Sequence, residues 1–399
     1  MKKKSSSPIN LEELVSSTGK EVPPSGIREF FDIVYKMPDC ISLGVGEPDF
    51  DTPWRISDSG IYSIKDGYTH YTPNRGLPEL RKLVVEYIKK NIGTGYDPDQ
   101  ETIITMGVSQ GLDLALRSII NPGDEIIIFE PCYVSYGANI SMLHGVPVVV
   151  PTYFHENFRI SVDRLREAIT PRTKAILLNY PSNPTGVSLD KKTLENIAGL
   201  AMEHNLLVLS DEIYSAITFG SRHVSITSLP GMKERTIYLN GFSKSHAMTG
   251  WRLGFVCAPE YIISIMLKIH QYIALCASSI AQYAAIEAME HGEKDVLRMR
   301  GEYIKRRNFI VNRFNEAGLP CLMPDGAFYV FPDISSTGLT SKEFALKLLN
   351  SKKVAVVPGN AFGKAGEKYI RCSYATSMEN IRTALQRIEE FVKERSWES

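Results

Sequence analysis

The residues best equipped for covalent chemistry lie in the run Asn240, Gly241, Phe242, Ser243, Lys244, Ser245, His246, Ala247, Met248, Thr249, Gly250, Trp251, Arg252. A primary amine at Lys244 can condense with an aldehyde, and the guanidinium of Arg252, eight positions on, can hold a phosphate carried by the same molecule. That pairing points to pyridoxal 5′-phosphate as cofactor. Taken alone, Lys244 reads better as one more solvated loop lysine.

A second run changes the balance. The apolar stretch Leu206, Leu207, Val208, Leu209 ends in Ser210, Asp211, Glu212, Ile213, Tyr214. A strand that delivers Asp211 at its carboxyl end can set a carboxylate against a pyridine nitrogen and keep that ring protonated. Tyr214 follows three residues later and can reach the ring oxygen. Without that ring, Asp211 is a helix cap and Tyr214 a half-buried aromatic. A third run, Asn179, Tyr180, Pro181, Ser182, Asn183, Pro184, Thr185, Gly186, is a turn by its prolines and glycine.

In this order and spacing the three runs resemble the class I aminotransferases of the aspartate aminotransferase superfamily, pyridoxal-phosphate enzymes of fold type I. The likeness extends from Ser25-Gly26-Ile27-Arg28 to the last helix. Gly46-Glu47-Pro48-Asp49-Phe50, Thr249-Gly250-Trp251-Arg252-Leu253-Gly254-Phe255 and Val356-Val357-Pro358-Gly359 look most like prokaryotic aspartate and aromatic amino acid aminotransferases. The resemblance implies catalytic roles for Lys244, Asp211 and Tyr214, with Lys244 as covalent anchor and proton shuttle. It implies Tyr133 stacked on the cofactor ring and Asn183 at the ring oxygen. Tyr71 would reach the cofactor phosphate of a partner subunit, which makes the active unit a homodimer. Substrate would be held by Arg371, Asn183 and the Gly46 backbone, and Arg252 would carry the phosphate. Where several family members have a phosphate-binding hydroxyl three residues before the lysine, this chain has Gly241, so Ser243 is the substitute expected.

Two of these sites also follow from local pattern. Gly107, Val108, Ser109 and Gln110 come after a strand and open a helix, so backbone amides and the Ser109 hydroxyl can meet a phosphate at the positive helix end; a serine near the N-cap is the plainer reading. Arg371 sits within the strand-like Tyr369-Ile370-Arg371-Cys372-Ser373, where an arginine is costly unless a carboxylate arrives. An internal salt bridge is its other explanation.

The elements that must position these residues alternate. Ile103–Thr105, Glu125–Phe129, Val146–Val150, Ala175–Asn179, Leu206–Ser210 and Thr236–Leu239 read as strands, and most of the intervals as helices. The expectation is an α/β fold: a large domain with a mostly parallel central sheet wrapped by helices, plus a smaller α+β domain. A helical stretch from Ile262 to about Ala317 leads into strands at Cys321 and Ala327–Phe331, a helix at Ser341–Leu349, strands near Val354 and Tyr369 and a final helix. Residues 1–50 are expected as an arm contributing to the small domain, 51–290 as the large domain and 291–399 as the small one.

Length and charge fit this picture. A chain of 399 residues with 43% hydrophobic content can bury two cores. Forty-five basic residues balance 45 acidic ones, which gives no bias toward nucleic acid or anionic membrane. Six cysteines (40, 132, 257, 276, 321, 372) lack paired metal-ligand spacing and read as reduced thiols, and the polar start has no apolar signal segment, so a cytoplasmic protein without metal is expected.

The side-chain subsite is less legible. Arg28 and the basic residues between Arg298 and Arg307 are candidates for a second carboxylate-binding cation, though each also reads as a solvated helix charge. Likeness of Thr337–Lys342 and Ala361–Gly366 to aromatic aminotransferases favours an aromatic L-amino acid as donor and 2-oxoglutarate as the 2-oxo acid acceptor. Aspartate or N-acetyl-diaminopimelate aminotransferases are the alternatives within the class. Outside it stand a carbon–sulfur β-lyase on the same fold and a cofactor-sensing regulatory module.

Overall fold

The computed structural model describes residues 11–22, 26, 37, 39–220 and 222–394; Arg28 lies outside them. After a short strand β1 (Ile41–Ser42), seven strands build the central sheet: β2 (Thr102–Thr105), β3 (Glu125–Glu130), β4 (Val146–Pro151), β5 (Thr173–Asn179), β6 (Leu207–Asp211), β7 (Thr236–Gly241) and β8 (Gly254–Cys257). Their order is β2-β8-β7-β6-β5-β3-β4. All neighbours run parallel except β8, which is antiparallel to both β2 and β7.

The inner strands are apolar runs because helices cover both faces of the sheet. Ile176, Leu177 and Leu178 of β5 are each at most 2% exposed, and burying such a side chain is worth about 1.5–3 kcal/mol. Helices Gly107–Ile119 and Glu260–Ile273 close one face, and Lys191–Glu203 the other. Helices Trp54–Lys65, Pro78–Asn91 and Ser279–His291 form a further layer around β2, β7 and β8.

A second unit follows. Strands β9 (Tyr329–Val330), β11 (Val357–Pro358) and β12 (Ile370–Ser373) form an antiparallel sheet in the order β11-β12-β9, while β10 (Val354–Ala355) pairs in parallel with β1. Helices Glu293–Glu316, Ser341–Lys352 and Met378–Glu394 pack around them.

Three expectations need correction. The helical stretch from Ile262 is three helices: the first ends before Leu275, whose φ is +65°, and Ser278 caps the second by accepting from Ala281 N–H at 3.4 Å. Gly292 separates the second from the third. No strand forms at Cys321, whose backbone N–H goes to the Asn315 side chain at 3.0 Å instead of to a neighbouring strand. Only Tyr329–Val330 of the Ala327–Phe331 run pairs as β9. All six cysteines are free, and no helix among the described residues is long and apolar enough to cross a membrane.

Candidate active site

The carboxyl ends of β5, β6 and β7 open on one cavity of about 530 Å³. Strand register sets its floor, because Asn179 at the end of β5 pairs with Asp211 at the end of β6. Lys244 follows β7 in a turn-rich segment in which Ala247 and Arg252 both adopt φ near +53°. A left-handed non-glycine costs about 1–3 kcal/mol and persists where its surroundings over-determine it. Here the segment turns twice, so that Lys244 and Arg252 face the same space.

Of the residues singled out from sequence, Gly46, Val108, Ser109, Tyr133, Asn183, Asp211, Tyr214, Ser243, Lys244, Arg252 and Arg371 line this cavity. Two do not. Gln110 turns its amide oxygen back to accept from Met106 N–H at 2.7 Å, capping its own helix. Tyr71 stands 83% exposed on the surface.

Lys244 Nζ donates to the Gly46 carbonyl at 2.6 Å. Burial pushes its pKa down to about 8, with the charges of Arg371 and Arg252 adding to the shift and those of Glu47 and Asp211 opposing it. Asp211 is buried, which pushes its carboxyl up to about 6. Hydrogen bonds from Tyr136 Oη at 2.8 Å and Ile213 N–H at 3.2 Å pull the other way. Glu212, next in the chain, faces away from the cavity, where Ser210 Oγ and the His223 ring hold it at 2.9 and 2.6 Å.

Arg371 of β12 is 2% exposed, and its partners are neutral: Nη1 donates to Asn183 Oδ1 at 2.9 Å and Nη2 to Gly44 O at 2.6 Å. Its Nε has no partner among the described residues, and with only neutral acceptors on Nη1 and Nη2 the internal salt bridge considered from sequence is not formed among them. Asn183 is itself placed by its N–H donating to Asn179 Oδ1 at 3.1 Å, and Asn179 donates to the Asp211 carbonyl at 3.1 Å.

These features fit pyridoxal 5′-phosphate and a carboxylate-bearing substrate. Arg252 lies against the first residue of helix Gly107–Ile119, where a Cβ on Gly107 would come within 2.9 Å of Nη2, so a permanent cation and a positive helix end share one cradle beside Ser109 and Ser243. Asp211 offers an anion to a ring nitrogen. The orphaned Nε of Arg371 is an unfilled donor for a substrate carboxylate.

Several contributors were given no role of their own from sequence. Tyr136 reaches Asp211, Tyr329 Oη lies 2.8 Å from Tyr214 Oη, and Glu47 and Thr249 meet at 3.0 Å at the rim. Among the basic residues of the long helix, Arg306 is not a solvated charge: it is buried, paired with Asp49 at 2.7 Å and set over the Phe50 ring at 5.0 Å. Glu287, Glu290 and His291 bring ligand-type atoms within 4.8 Å of one another, but Glu287 is already engaged by Arg55 at 2.8 Å.

Comparison with known proteins converges on one family. The model of the aminotransferase class I and II family matches residues 38–388. A putative aminotransferase of Bacillus subtilis (strain 168) is 50% identical over 94% of this chain and 97% of its own length. An aspartate aminotransferase of Pyrococcus abyssi (strain GE5 / Orsay) is 49% identical over 94% and 97%. Among solved structures, an aromatic aminotransferase from Pyrococcus horikoshii OT3 superposes with a TM-score of 0.88 at 48% identity, covering 92% of this chain and 99% of that one. Sequence, architecture and the cavity at the sheet's carboxyl edge thus agree, and the chain belongs to the class I and II aminotransferases, which work with pyridoxal 5′-phosphate.

Proposed function

We propose that this aminotransferase takes its amino group from an aromatic L-amino acid and passes it to 2-oxoglutarate in a ping-pong sequence. One observation carries the aromatic preference: the Arg371 guanidinium is set between the rings of Tyr329, at 4.5 Å, and Phe362, at 4.9 Å. Tyr329 lines the cavity, and Phe362, from the Ala361–Gly366 segment, is buried against the same guanidinium, so the carboxylate end of the site is built on aromatic rings. Aspartate remains the second reading, favoured by the near-half identity to an aspartate aminotransferase.

The chain's own residues divide the work. Arg371, with Asn183 and the Gly46 backbone, binds and orients the α-carboxylate, which fixes the substrate's Cα toward Lys244. Arg252, Ser109, Ser243 and the backbone around Val108 hold the cofactor's phosphate, and Tyr133 covers its ring. When bound, pyridoxal phosphate supplies a conjugated cationic ring able to take up the electron pair left as the α-proton departs. Asp211 keeps that ring protonated, and Tyr214 and Asn183 donate to its oxygen. Lys244 Nζ carries the α-proton. A pKa near 8 leaves about a tenth of the amine unprotonated at neutral pH, against about one part in several thousand for an ordinary lysine.

We further place the enzyme in the cytoplasm as a homodimer in which Tyr71 completes the partner's site. Support comes from the large apolar side chains of Trp54, Tyr62, Ile64 and Tyr71, which stand 54 to 83% exposed. A large domain at 51–290 and a small one at 291–399, with 1–50 as an arm that contributes to the small one, is supported by the pairing of β1 with β10 and by the helix break at Gly292.

The test is a half-reaction screen. Each common amino acid is mixed with holoenzyme, and loss of the cofactor's visible band is followed. Phe, Tyr and Trp are expected to discharge it faster than aspartate at equal concentration; the reverse order overturns the aromatic reading and leaves transamination intact.

A further inference from the structure

Tyr329 stands at a crossing that its sequence context, Ala327-Phe328-Tyr329-Val330, does not advertise. It belongs to β9 of the smaller sheet, is 1% exposed, and touches three parts of the site at once. Its hydroxyl lies 2.8 Å from that of Tyr214, which follows β6 of the large sheet. Its ring carries the Arg371 guanidinium at 4.5 Å. Its Oη also occupies the space a side chain at Gly46 would need, 2.7 Å from an ideal Cβ, and the Gly46 carbonyl is the acceptor for Lys244.

We infer that Tyr329 is a positioning residue, whose hydroxyl donates to Tyr214 so that Tyr214 can donate onward to the cofactor's ring oxygen, while its ring fixes Arg371. This rests on the reading above that Tyr214 faces that oxygen. A phenol has one hydrogen to give. If Tyr214 spends its hydrogen on the cofactor, its own oxygen needs a donor in a buried setting, and Tyr329 is the hydroxyl in place to supply one. Donors in series strengthen one another, so the outer phenol makes the inner one a better donor to an anionic oxygen. The groups facing this pair are Arg371, whose charge favours the ionised form of both phenols, together with Asp211 and Tyr133, which disfavour it, and Lys244 across the cavity.

The experiment titrates the visible band of the holoenzyme against pH for wild type, Y329F, Y214F and the double variant, with kcat and amino-acid KM alongside. A donor to an anionic oxygen favours the deprotonated chromophore, so losing it raises the titration midpoint. Y329F is expected to raise the midpoint by about half a unit or more and to lower kcat about fivefold, leaving KM within about twofold because the ring still supports Arg371. In a Y214F background, Y329F is expected to add no further shift, as coupled residues do. Y329L, lacking the ring as well, is expected to raise KM about tenfold or more. A midpoint in Y329F equal to wild type, with Y214F shifted, overturns the relay and leaves the Tyr214 role standing. No shift in Y214F removes both. An equal shift from Y329F with and without Tyr214 also overturns it, since the effect then bypasses that phenol.

Discussion

Tyr136 donates its hydroxyl hydrogen to Asp211 Oδ2 at 2.8 Å at the floor of the cavity, where both side chains are buried. Burial alone drives the Asp211 carboxyl toward its neutral form, and this bond is the largest influence acting against that drive. A carboxyl at about 6 is mostly ionised at neutral pH and can keep a pyridine ring cationic; one pushed higher cannot.

Y136F is therefore expected to raise the Asp211 pKa, because the bond it deletes stabilises the charged form. The acid limb of kcat/KM moves to higher pH by about half to one unit, and cofactor affinity falls about tenfold. The pH–rate profile checks this, and an acid limb at its wild-type position refutes the coupling.

Lys244 gives a prediction of opposite sign. Burial lowers its pKa to about 8, so the unprotonated amine becomes the major form above that pH and not above the ordinary lysine value. Covalent attachment of pyridoxal phosphate to cofactor-free protein, followed by stopped-flow absorbance, is expected to accelerate with pH and level off near 8. Acceleration continuing to pH 10 would contradict the shift. K244A is expected to lose both turnover and the adduct otherwise trapped by borohydride.

How much of this was legible follows from where each signal resides. Strands β3, β5, β6 and β7 announced themselves because parallel strands buried on both faces are unbroken apolar runs, while the edge strands β2 and β4 were legible from their short β-branched runs. β8 was hidden, since Gly254-Phe255-Val256-Cys257 is only four residues long and adjoins the Thr249–Arg252 motif. Lys244, Asp211, Arg252 and Arg371 stood out because chemistry and local pattern coincide within single runs, and Asn183 only through the family resemblance. Tyr136 and Tyr329 did not, because 75 and 115 residues separate them from the groups they serve, and a tyrosine among 19 carries no mark of its partner. Arg306 was misread for the same reason: only the fold brings Asp49 beside it.

Arg371 sets function against stability. A guanidinium buried among neutral partners with an orphaned Nε is costly until a carboxylate arrives, and burial accordingly lowers its pKa. R371M is expected to raise KM for both amino acid and 2-oxo acid about a hundredfold, through loss of charge-assisted bonds. Tm is expected to stay within about 2 °C of wild type, because relief of the buried charge offsets the partner lost by Asn183 Oδ1. A large fall in Tm would show that the arginine is a structural pillar.

Gly241 was visible in the sequence as a departure from the family's phosphate-binding hydroxyl, but its reason is steric and needed the fold. It ends β7 opposite Gly254 of β8, and a Cβ there would lie 2.9 Å from Gly254 Cα and 3.0 Å from the Leu253 carbonyl. Both obstacles are backbone, so neither can rotate aside. Gly254 is equally constrained, because its own Cβ would come within 2.7 Å of Val108 N and press on the helix that opens the phosphate cradle. Introducing the family hydroxyl by G241S is thus expected to remove function instead of adding a phosphate contact. The two strands must part, helix Gly107–Ile119 shifts with them, and the misfit costs about 1–3 kcal/mol, the usual scale of overpacking. Cofactor affinity should fall in parallel, whereas S243A, which leaves the backbone untouched, should weaken it without lowering Tm. Tighter cofactor binding by G241S at unchanged Tm would show that the strands yield freely, and that Ser243 is not the residue standing in for the missing hydroxyl.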